Sequence, residues 1–109
     1  MTYKEISQMI AGAGLPYAYY QFPEDTPQAP PFICFFFSNT DDFFADDTNF
    51  QRIAQLNIEL YTNVKDFELE ASLEEILTNQ NLTYYKEESY IDSEKLYQIA
   101  YEMEVIING

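Results

Sequence analysis

Two stretches of this chain alternate apolar and polar residues with a period of two, and that pattern commits it to a half-buried sheet. In Arg52–Thr62, Ala54, Leu56, Ile58 and Leu60 fall on one side, and Gln55, Asn57, Glu59 and Tyr61 on the other. In Leu96–Ile107, Tyr97, Ile99, Tyr101, Met103 and Val105 point one way, and Gln98, Glu102 and Glu104 the other. A strand with one apolar and one polar face belongs to an antiparallel sheet that packs on a single side.

What covers the apolar side is legible as helices. Thr2 followed by Glu5 is a capping-box start, and Tyr3, Ile6, Met9 and Ile10 then form one helical stripe before Gly12 and Gly14 stop it. Asp66 caps a second helix, with Leu69, Leu73, Ile76 and Leu77 inward and Glu68, Glu74 and Glu75 outward; Asn79-Gln-Asn81 ends it. Further strands are expected at 15–22, where Pro16 sits near the start, at 32–37 and at 82–86. The run Phe32-Ile-Cys-Phe-Phe-Phe37 is apolar throughout and should be covered on both faces. Between these strands, Pro23–Pro31 carries four prolines in nine residues and should be a stiff, extended excursion. The segment 39–47 reads as acidic and irregular, with room for a short strand. The order is helix, two or three strands, helix, two strands: an α+β fold with a mostly antiparallel sheet of four to five strands and two helices packed on one face. With 109 residues it is a single domain, 1–109.

The functional classes are limited by what the chain lacks. It has no histidine, a single cysteine, and 19 acidic residues against 5 basic ones, a formal net charge of −14. A hydrophobic fraction of 47% is enough for a core, so the charge does not imply disorder. Lys4, Arg52, Lys65, Lys86 and Lys95 are scattered, which leaves no basic patch for a phosphate backbone. Cys34 has no disulfide partner and lies in the apolar run, so a buried, inert thiol is expected. No signal core and no long apolar stretch is present, so the expected setting is the cytoplasm at synthesis, without membrane spanning.

Catalysis has little to build on. Neither Cys34 nor any serine has an imidazole base, a His/Cys zinc site is excluded by count, and three glycines make no phosphate loop. Asp41, Asp42, Asp46 and Asp47 invite a calcium reading. Counted from Asp41, however, the EF-hand positions that want oxygen ligands, Gly and Glu hold Phe43, Ala45, Asp46 and Arg52. A solvated acidic loop or an electrostatic interface is the favoured reading. No catalytic residue, metal ligand or cofactor is assigned, and the chain is read as not an enzyme. With 10 tyrosines and 9 phenylalanines, some aromatics should remain on the surface, where they favour protein interfaces.

Several segments carry a resemblance to a known family. They are Leu15-Pro-Tyr-Ala-Tyr-Tyr with Phe22-Pro23, Pro30-Pro-Phe-Ile, Leu60-Tyr-Thr-Asn-Val-Lys-Asp66, Leu82-Thr-Tyr-Tyr-Lys-Glu-Glu-Ser-Tyr-Ile91, Ser93-Glu-Lys-Leu-Tyr97 and Glu102-Met-Glu-Val-Ile-Ile107. Together they resemble tail terminator (tail completion, head-to-tail joining) proteins of long-tailed phages and prophages of Gram-positive bacteria. The resemblance implies a compact α+β subunit that assembles with itself into a ring, typically a hexamer, on the head-proximal end of the tail tube. There it stops tube polymerisation and joins tail to capsid. The implied partners are the tail tube protein and a head-completion or connector protein, and the implied location is the virion, with assembly in the host cytoplasm. No cofactor, no membrane and no stable nucleic-acid binding are implied, although DNA would pass through the ring. A negative surface suits such a channel. Asp41, Asp42, Asp46 and Asp47 are then candidates to face a partner or the lumen, and Tyr17, Tyr19 and Tyr20 to lie at a subunit seam. Two alternatives stand beside this: another head–tail connector or minor capsid component, and an acidic DNA mimic that inhibits a DNA-binding host protein.

Overall fold

The alternating segments form the middle of the sheet. The computed structural model describes residues 1–44 and 50–108, with side chains for 1–38 and 52–108. Helix α1 (Tyr3–Ala11) is followed by β1 (Tyr17–Tyr19), β2 (Phe32–Phe44), β3 (Phe50–Thr62), α2 (Phe67–Asn79), β4 (Tyr85–Ile91) and β5 (Leu96–Ile107). The strands form one five-stranded sheet in the order β1-β2-β3-β5-β4. β1 runs parallel to β2, and the other neighbours are antiparallel. The α+β class, the mostly antiparallel sheet and the two helices on one face are as expected, with five strands among the described residues.

Register explains how the core forms. Ile58 stands between Phe35 on β2 and Tyr101 on β5, and Leu60 between Ile33 and Ile99. These residues line one face and join Ile6 and Ile10 of α1 and Leu73 and Leu77 of α2 in a single cluster. The caps work as their sequences require. Thr2 Oγ1 accepts from the Glu5 N–H at 3.1 Å while Glu5 Oε1 accepts from the Thr2 N–H at 2.9 Å. Asp66 Oδ1 accepts from the Leu69 N–H at 3.0 Å. At the far end of α2, Asn81 takes φ 59°. The Leu82 N–H reaches back to the Leu77 carbonyl and the Asn81 N–H to that of Thr78, so the helix ends in a Schellman motif.

Three expectations need correcting. The first strand is short because Pro16 precedes it and Tyr20, at φ 70°, turns the chain out of it. Strand β2 does not stop at Phe37: across a register shift between Phe37 and Asn39 it continues to Phe44, so the short strand allowed for in 39–47 is the continuation of β2, with the backbone at Asp41 and Asp42 in the ladder opposite Ile53 and Arg52. The strand expected at 82–86 lies instead at Tyr85–Ile91, because the Schellman turn occupies the residues after α2.

The outward reading of Glu74 also fails. Glu74 Oε2 accepts from the buried Tyr101 hydroxyl and from Lys86 Nζ, both at 2.7 Å. Beside it Glu70, only 2% exposed, receives Lys65 at 2.6 Å and lies 3.0 Å from Lys86, and Lys65 also pairs with Glu88. This five-residue charge cluster ties α2 to the edge strand β4.

Candidate functional site

The face of the sheet away from the helices holds a groove, and its walls follow from local chain geometry. At the end of β1, the Gln21 N–H bonds to the Tyr19 carbonyl at 2.9 Å across Tyr20, whose φ is 70°. That is a γ-turn of the rarer, strained hand. It sends the chain from the helix-covered face to the open one, anchored by the Tyr20 N–H on the Phe35 carbonyl at 2.8 Å. Phe22 then packs edge-on against Phe32, with centroids 5.3 Å apart, and Phe32 stacks on Tyr61 at 5.0 Å and 23°. Tyr20 meets Phe36 edge-on at 5.6 Å. The proline segment forms one wall, with Pro23, Pro27 and Pro30 facing the space, and the β4–β5 turn at Glu94, Lys95 and Leu96 forms the other. The enclosed volume is about 980 Å³, open to solvent.

Polar groups sit on the floor. Tyr61 donates to Glu59 Oε1 at 3.0 Å, and Gln98 Nε2 donates to Glu59 Oε2 at 3.1 Å and to the Tyr61 hydroxyl at 2.8 Å. Glu59 is therefore held in one orientation by two neutral neighbours. Burial drives the Tyr61 phenol well above its ordinary range, so it stays a donor at any physiological pH. Cys34 faces Glu59 across the ladder and is 4% exposed; burial, aided by the Glu59 charge, pushes its thiol up to about 11. At pH 8 about a thousandth of such a thiol is thiolate. A disulfide reagent should therefore label Cys34 slowly in the native protein and stoichiometrically in denaturant. Rapid native labelling would contradict this burial.

The residues singled out from sequence do not gather in one place. Tyr17 and Tyr19 face the helix side, where Tyr19 lies 5.3 Å from Phe35 and its hydroxyl accepts the Phe37 N–H at 3.2 Å. Tyr20 alone turns to the groove. Asp41 and Asp42 are on the distal part of β2, and Asp46 and Asp47 lie outside the described residues. The groove residues were missed, although the signal existed: Phe32 and Phe36 share the face that the polar side of β3, with Glu59 and Tyr61, must also occupy. Among the described residues, no cluster of three His, Cys, Asp or Glu is arranged to hold a metal, and no helix is long and apolar enough to cross a membrane.

No protein-family model matches this chain, and no curated protein does. A solved structure does match it. A chain of the virion of a native gene transfer agent particle superposes with a TM-score of 0.59, over 93% of this chain and 84% of the other. The two are 14% identical, so what they share is the fold.

Proposed function

We propose that this protein is a structural subunit of a virion, without enzymatic activity, that forms a ring at the head-proximal end of a tail tube, ends tube polymerisation and joins the tail to the capsid. The observation that carries the virion reading is the fold match to a virion chain over nearly the whole length. The finer role rests on the tail-terminator resemblance and on the two unlike edges of the sheet. β4 is exposed along almost its whole length, with Tyr85 82% exposed, whereas the opposite edge, β1, has three residues. Unlike surfaces that meet head-to-tail close a ring when the rotation permits, and an unpaired edge strand is a ready contact. The tail tube protein and a connector on the capsid side are the partners of this reading. The DNA-mimic alternative is weakened by geometry: Glu70, Glu74 and Glu88 are committed to Lys65 and Lys86 instead of being displayed like phosphates.

Native mass spectrometry across a concentration series, with and without magnesium to screen the charge, tests this. A closed ring of about six copies is the expected result. A strict monomer in every condition, and still no binding when purified tail tubes are added, overturns it.

A further inference from the structure

The groove carries an inference that does not depend on ring formation. We propose that it is a docking site for an extended, arginine- or lysine-bearing segment of a different protein. Its surface has the two features that hold such a side chain. Aromatic faces come from Phe22, Phe32, Tyr61 and Tyr20, on which a guanidinium stacks or an ammonium rests. Carboxylates come from Glu24, Glu59 and Glu94, against the single cation Lys95. Glu59 is the fixed point. Tyr61 and Gln98 orient it but supply no charge, and a carboxylate has lone pairs beyond those two bonds.

Charge decides the occupant. A second copy would bring the same net −14 to an acidic groove. Of its five cations, Lys65 and Lys86 are already bound to Glu70, Glu74 and Glu88. Nucleic acid is repelled for the same reason. A basic segment of another chain gains both the charge contact and the aromatic surface. The strained turn at Tyr20 fits a built site, since such backbone persists where the surrounding structure holds it and gathers at ligand clamps.

The test is NMR titration of the ¹⁵N-labelled protein with an acetylated, amidated peptide of alternating serine and arginine, beside the matching serine–glutamate peptide. The arginine peptide should shift amides around Tyr20–Phe36, Glu59–Asn63 and Ile91–Leu96, and the glutamate peptide should shift none. Glu59→Gln should weaken binding about fivefold, the worth of one charge contact at ~4 Å in water. Glu94→Gln, on an exposed turn that the core does not need, should weaken it in the same direction. Three results overturn the proposal: no shifts at all, shifts spread over the outer residues of α2 and β5 with Glu68→Gln as damaging as Glu59→Gln, or groove amides that move with protein concentration before peptide is added. The last would make a second copy the occupant.

Discussion

Ile58→Ala should lower the free energy of unfolding by about 4 kcal/mol, toward the upper part of the range for truncating a fully buried isoleucine. Ile58 has no exposed surface and lies on the central strand, with Phe35 and Tyr101 as its cross-strand neighbours and both helices in the same cluster. The site is walled by sheet on either side, so it cannot collapse easily around the missing carbons. A protein of this size has roughly 5–15 kcal/mol in total, and the variant should unfold at a much lower urea concentration with a similar slope. A loss below about 1 kcal/mol would mean that the helices do not close over β3 as described.

Glu70→Ala should cost about 2–3 kcal/mol, whereas Glu68→Ala, two residues away and exposed, should stay within about 0.5 kcal/mol. The larger value reflects lost charged hydrogen bonds at a buried position. It does not reach the full penalty for stranding a buried charge, because Lys65 retains Glu88, Lys86 retains Glu74, and both lysines reach water. The same cluster sets a pH dependence. Burial alone would raise Glu74, but hydrogen bonds from Lys86 and Tyr101 outweigh it and hold the carboxyl below its ordinary 4.5. Its contribution is therefore present above pH 4.5 and lost as pH falls through the lowered value. Partial burial pushes Lys65 down, yet Glu70 and Glu88 more than offset it; Lys86 is raised first by Glu74. Both lysines stand above 10.5, so their contribution is complete below that pH and disappears as pH rises through the raised values. Urea midpoints should fall on the alkaline side more steeply in the wild type than in Glu70→Ala. Parallel alkaline curves would remove the cluster from the account.

Glu70 also shows where reading the chain stops. It lies three and seven residues before Leu73 and Leu77, on the buried stripe of α2, a place that its charge alone argues against. The conflict was resolved by Lys65 and Lys86, the second of which arrives from β4, a strand whose position next to α2 no local pattern specifies. The groove is a similar case. The polar side of β3 was readable, and so were the stiffness of Pro23–Pro31 and the aromatic richness near Phe32. That these three meet required the γ-turn at Tyr20 to throw the proline segment onto the open face.

What the sequence determined by itself were properties set by apolar periodicity or by a local cap. The inner faces of β3 and β5, the limits of β5, the starts of both helices and the buried state of Cys34 all follow from spacing and side-chain chemistry within a few residues. Only the tertiary structure decided the strand order, the parallel pairing of β1 with β2, the continuation of β2 past Phe37 and the partners of Glu59 and Glu70. The reason is physical. Alternation tells a strand which face to bury but says nothing about which strand lies beside it, and a polar residue's environment is set by groups brought to it from distant parts of the chain.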